Sequence, residues 1–165
     1  MSREYREPAT VRDSPPAQRA LVFALLDLGA DIDGVGQAAA SVIGINQTDL
    51  ICLNALYRDG PMSAGALATA IGLTPGATTT AIDRLERAGY ARRRNDPADR
   101  RRVLIEASEE GARQAFALFD GLLDAVAARA GGYTDKQLTL LLDLIKTFRE
   151  IISGYAAELR TRRTK

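Results

Sequence analysis

The chain has 165 residues, 46% of them hydrophobic, with 22 basic and 21 acidic side chains and a formal charge of +1, which suits one medium core or a small lobe with a helical extension. It contains no histidine and a single cysteine, which argues against a His-based general base or zinc site and excludes an internal disulfide. Asp120, Asp124 and Asp143 keep every apolar run short of the ~18 residues that span a bilayer, and the N-terminus lacks the apolar core of a signal peptide, so the expectation is a cytoplasmic protein with no metal, cofactor or membrane partner.

Met1 to Pro16 is charged and Pro-containing and reads as a mobile arm. Residues 17–45 carry a helix from Ala17 to Gly29 that continues past Gly34 and Gly36 to Val42, with Leu21, Val22, Leu25, Leu26 and Leu28 as its apolar residues. Asn46 can cap the next helix, with Asp49 in its first turn and Leu50, Leu53 and Leu56 facing inward. Cys52 lies in that helix without a basic neighbour in sequence to lower its pKa, so it reads as a small buried hydrophobe.

Pro61 to Gly72 reads as a short helix with Leu67, Ala70 and Ile71 as apolar positions, ending in a glycine turn. A second helix follows, capped by Thr74, started by Pro75 and closed by Gly89. Its Thr78, Ala81, Ile82, Leu85 and Ala88 form one stripe toward a core, while Gly76, Thr79, Thr80, Asp83, Arg84 and Arg87 form another. Small and hydroxylated side chains at the front of the second stripe permit close approach to a duplex, and the arginines behind them can reach phosphates. An ordinary solvated face would show the same stripe.

Tyr90 to Arg94 and Arg102 to Ala107 read as two strands joined by the turn-rich segment NDPAD. From Asp83 to Arg102 there are eight arginines against four acids, whereas Leu21 to Tyr57 holds acids and no Lys or Arg. The near-neutral total thus conceals a basic tip and an acidic body, and only the local field matters to a phosphate backbone. Solubility is the other reading of these arginines, and with 19 arginines to three lysines the choice of arginine also fits a compositional habit. Helix, glycine turn, helix and hairpin together make a winged helix-turn-helix over residues 46–108.

In residues 109–165, Ser108 caps a helix with Glu109 and Glu110 in its first turn and Ala112, Phe116, Phe119, Leu123 and Val126 at helical spacing. After Gly131 and Gly132 a second helix opens on a capping box of Thr134 and Gln137, and its apolar stripe runs from Leu138 to Tyr155. The small central lobe cannot cover two such stripes, so they require a partner. The fold class expected is mainly α with a small β-wing: a winged helix-turn-helix lobe plus N- and C-terminal dimerisation helices.

Ile45 to Ser108 resembles the MarR family of winged helix-turn-helix transcription regulators, and more loosely so does the whole length. The wing signature of that family is matched by Asp99, Arg101, Ile105 and Ala107 with Ser108, and IDRLERAGY from Ile82 to Tyr90 resembles the end of its recognition helix. Ala107 departs from the more usual Leu. The resemblance implies that Arg101 enters the minor groove and that Asp99 holds the wing in shape by pairing with an arginine. A guanidinium, flat and permanently charged, suits a narrow groove. The candidate DNA-contacting residues are Thr74, Gly76, Thr79, Thr80 and Arg84 on the helix, with Arg93, Asp99, Arg100 and Arg101 on the wing. The expected partners are a pseudo-palindromic double-stranded DNA operator and a second copy of the chain, with recognition helices ~34 Å apart. The expected role is repression.

The resemblance also places an effector pocket where the dimer helices meet the lobe, drawing on Phe23, Leu53, Tyr57 and Phe119 for a small apolar or aromatic ligand. The same four residues read equally as plain core. The alternative function is a helical protein-interaction module without DNA binding, which would have no use for an arginine wing. An enzyme would need a convergent nucleophile and base, and the chain has neither a Gly-rich phosphate cradle nor a hydrolase-like serine motif.

Overall fold

The computed structural model describes residues 7–162, so Met1 to Arg6 of the expected arm lie outside the described residues. In the rest of that stretch Ala9–Arg12 forms a one-turn helix, α1, and Glu7 pairs with Arg19 at 2.8 Å. Helix α2, Pro16–Val42, starts with proline in its first turn and runs unbroken through Gly29, Gly34 and Gly36. Each interior glycine costs about 1 kcal/mol relative to alanine, but the last turns are anchored by Ala39 and Ala40, which pack on Leu50.

Helix α3, Gln47–Asp59, begins with a reciprocal capping box: the Asp49 amide donates to the Asn46 side chain at 2.9 Å and the Asn46 amide to the Asp49 carboxylate at 3.4 Å. Helix α4, Ala64–Ile71, starts later than the sequence suggests, at a Ser63 cap. Pro61 and Met62 do not join it. Met62 instead exchanges backbone hydrogen bonds with Ile105 at 3.0 and 2.8 Å and so ties the entry to α4 to the wing. Gly72 ends α4 in the left-handed region at φ 69, where the Leu73 amide reaches back to the Ala68 carbonyl at 3.0 Å.

Helix α5, Pro75–Arg87, ends at Gly89, whose φ of 80 lets the Tyr90 amide bond the Leu85 carbonyl at 2.8 Å. Ala88, expected in the apolar stripe, is exposed at this end. Strands β1, Ala91–Asn95, and β2, Val103–Ala107, pair antiparallel, with Arg93 opposite Ile105 and Arg92 opposite Glu106. Cys52, Leu53 and Leu56 of α3, Leu67 of α4, Ile82 and Leu85 of α5 and Ile105 of β2 form the core of the lobe.

The single helix expected after Ser108 is two helices, α6, Glu109–Ala117, and α7, Asp120–Ala130. The chain tightens between them, with the Phe119 amide bonded to the Phe116 carbonyl at 2.9 Å, where the Phe119 side chain packs on the cluster of Ala39, Ala40 and Leu50. Helix α8, Asp135–Arg162, follows a capping box in which the Thr134 amide and hydroxyl both donate to Gln137 at 2.9 Å. Neither α7 nor α8 buries a residue. No helix among the described residues is long and apolar enough to cross a membrane.

Candidate nucleic-acid interface

Helix α5 is fixed from within by four buried side chains, Thr78, Ala81, Ile82 and Leu85. That burial leaves Thr74, Gly76, Thr79 and Thr80 together on the exposed front of the helix, as the sequence pattern requires. The Thr74 hydroxyl accepts from the Ala77 amide at 3.3 Å. The hydroxyls of Thr79 and Thr80 donate to the carbonyls of Pro75 and Gly76, both at 3.0 Å. Their donors are thus engaged, and what they offer outward is a lone pair and a methyl group, suited to a base amine and a thymine methyl. A Cβ at Gly76 would meet nothing within 4 Å, so packing within the chain does not require glycine there.

Arg84 is not placed as the sequence suggests. Its guanidinium grips Asp49 of α3 through Nε at 2.9 and 3.1 Å and Nη2 at 2.6 Å, and Asp49 is 1% exposed. These hydrogen bonds raise the Arg84 pKa above its ordinary value. The side chain therefore bolts the recognition helix to α3 instead of reaching a phosphate. Beside it, burial and then the Asp49 charge push the Cys52 thiol up to about 11, which leaves it an unreactive neutral group at neutral pH.

Arg93 is likewise engaged. It pairs with Asp83 at 2.7 Å and with Glu86, and its amide donates to Glu86 at 2.9 Å, so it splices the wing to α5. Arg92, at 2.5 Å, and Arg94 pair with Glu106 across the hairpin, holding that carboxyl below its ordinary pKa chiefly through the Arg92 hydrogen bond. Arg102 approaches Asp96 at 4.0 Å, and the Arg87 Nε donates to the Asp83 carbonyl at 3.1 Å.

Asp99 shapes the wing, but not by pairing with an arginine side chain. Its carboxylate accepts from the Arg101 amide at 3.0 Å and its carbonyl from the Arg102 amide at 2.8 Å, which makes a local side-chain turn. Asp96 does the same for the Ala98 amide at 2.9 Å. The tip is therefore built by backbone hydrogen bonds, and Arg100 and Arg101 stand exposed on it without a carboxylate partner among the described residues. With Arg84, Arg92, Arg93, Arg94 and Arg102 facing internal acids, the field of the wing is concentrated at those two side chains.

The four residues expected to line an effector pocket do not converge. Leu53 is fully buried in the lobe core, Phe119 packs on α2, and Phe23 sits 6.0 Å from the Arg19 guanidinium. Phe23 borders a separate opening of ≈ 470 Å³ beside Arg12 and Arg19, and Tyr57 a larger one. The Tyr57 ring stacks on Phe116 at 4.4 Å over a groove of ≈ 650 Å³ between the end of α3, the exit of β2 and α6.

The residues that sequence reasoning missed are Asp49 as the anchor of Arg84 and Met62 as a third edge of the wing. Asp49 is legible as an acid in the first turn of its helix, but no local signal reaches the 35 positions to Arg84.

The MarR family model matches residues 45–103. Over 124 residues the chain is 37% identical to the uncharacterized HTH-type transcriptional regulator YcgE of Bacillus subtilis (strain 168), covering 75% of this chain and 80% of that one. A second B. subtilis HTH-type transcriptional regulator, YkoM, is 35% identical over 68 residues, 41% of this chain and 44% of that one. Among solved structures, a MarR family protein from Bacillus stearothermophilus superposes with a TM-score of 0.67 at 20% identity, covering 85% of this chain and 99% of that one. The ligand-free MarR of E. coli gives 0.57 at 21% identity, covering 78% and 95%. Matched across its lobe and along most of its length, and folded as these winged helices are, the chain belongs to the MarR family and is a DNA-binding transcription regulator, not an enzyme.

Proposed function

We propose that two copies of this chain associate through α2, α7 and α8 and present both recognition helices and both wings to a pseudo-palindromic stretch of double-stranded DNA, repressing transcription in the cytoplasm. The observation that carries the DNA reading is the pair of exposed tip arginines, Arg100 and Arg101, in a wing whose other arginines face acids. Thr74, Gly76, Thr79 and Thr80 face the same duplex from the front of α5, and Asp99 fixes the tip. Pairing of copies follows from Leu26, Leu123, Leu140 and Ile152, which are 57, 60, 70 and 64% exposed. Left in water, side chains of this kind would cost several kcal/mol at about 25 cal/mol per Å².

Arg101→Ala should keep the fold and dimer and weaken binding to duplexes that the unaltered protein retains from genomic DNA. The salt dependence should fall by about 0.9 in slope for each phosphate that the variant no longer neutralises. An unaltered binding curve, or a purified protein that sediments as one copy, would refute the reading.

A ligand that alters this affinity is best supported in the groove under Tyr57 and Phe116. Its walls are Leu56, Tyr57, Ala112 and Phe116, with Glu109, Asp120 and Arg113 at its border, so it suits an aromatic compound carrying polar groups at its edge. Titration with such compounds, read by Tyr57→Ala as control, tests that placement.

A further inference from the structure

Helix α8 ends at the turn of the helix-turn-helix. Although it buries no residue, its last turns bring Leu159 and Arg160 beside Ala68, Thr69, Gly72, Thr74 and Pro75, where they border a groove of ≈ 650 Å³. The approach at Gly72 is close enough that a Cβ there would overlap the Arg160 guanidinium. Gly72 is thus constrained twice, by its left-handed φ of 69 and by the arginine against it.

The charge along this end changes sign abruptly. Glu158 is the last acid, and Arg160, Arg162, Arg163 and Lys165 follow it. Arg160 and Arg162 are exposed. Thr74 and Pro75 open the recognition helix, and when such a helix lies in a major groove the sugar-phosphate backbone passes beside its N-terminus and the preceding turn. Two guanidinium groups delivered there meet the same phosphates.

We propose that the C-terminal end of α8 is a third contact to the DNA backbone, in which Arg160 and Arg162 bind phosphates flanking the recognition helix. The proposal rests on the reading of the lobe as duplex-binding. It makes one helix serve both ends of the function, its apolar length holding the partner copy and its basic end holding the nucleic acid.

The test uses the full chain carrying Arg160→Gln and Arg162→Gln, with Arg160→Lys and Arg162→Lys as the charge-preserving pair. Binding to duplexes retained from genomic DNA, and to a mixed-sequence duplex, is measured between about 50 and 200 mM salt. For a dimer, leaving at least one phosphate per subunit without its cation lowers the slope of log affinity against log salt by at least about 1.8 on both duplexes, and the lysine pair restores it. An unchanged slope in the glutamine variant overturns the proposal, as does a rise in affinity, which would mean that the helix end obstructs the duplex. If the unaltered protein binds no duplex even at low salt, the reading of the lobe itself fails, a distinct result.

Discussion

Arg84→Ala separates a structural arginine from a DNA-binding one. The change removes three hydrogen bonds of 2.6 to 3.1 Å from a carboxylate that is 1% exposed, on α3, and leaves that charge in the core without its partner. Breaking a fully buried pair from one side costs about 3–5 kcal/mol; because 34% of the Arg84 side chain faces water, roughly 2–4 kcal/mol is expected here. Urea unfolding at one fixed protein concentration measures it, since dimer stability depends on concentration. A cycle with Asp49→Ala should give a coupling of at least about 1.5 kcal/mol, because each residue's contribution exists only through the other. Binding by the fraction that remains folded should keep the slope of its salt dependence. A variant that unfolds within about 0.5 kcal/mol of the parent, yet whose slope falls by the equivalent of one phosphate, would show that Arg84 touches DNA and that the bolt is unimportant.

Gly111→Ala should destabilise by about 1–3 kcal/mol in thermal or urea unfolding despite alanine's better helix propensity, because the new methyl group would lie 2.8 Å from the Tyr90 Cα and 2.6 Å from the Ser108 Oγ. A more stable variant would mean that α6 can shift off Tyr90. Cys52 should resist alkylation at pH 8 until denaturant is added, since it is buried and its thiol titrates at about 11. Because that value is raised in the fold, stability is fully present below the unfolded thiol's value of about 8.5 and declines as pH rises from there toward the folded one. Cys52→Ala should flatten that alkaline decline, and rapid labelling of the native protein would contradict the placement. Thr79→Ala and Thr80→Ala should change which duplexes are recovered in selection from randomised pools while leaving the salt slope intact, because these side chains offer groups to base edges. Identical preferences would remove them from the site.

The local order of the sequence determined most of the lobe. Asn46, Thr74 and Ser108 all cap helices in the structure, and glycine follows the end of α4 and of α5, because caps and turns are settled by atoms a few residues apart. The exposed front of α5 was legible for the same reason, its spacing fixing which residues point away from the core. What the sequence did not contain was the partner of each charge. Eight arginines looked alike in the chain, and only folding, by bringing Asp49 under α5 and Glu86 and Glu106 beside the strands, separated those that face acids from Arg87, which bonds a carbonyl of its own helix, and from the two left open at the wing tip. The division of α6 from α7 at Phe119 and the arrival of Arg160 at Gly72 belong to the same class. Each depends on contacts between residues far apart in the chain, where the energy of an ion pair or a packed ring is set by burial and approach, quantities that no local spacing encodes.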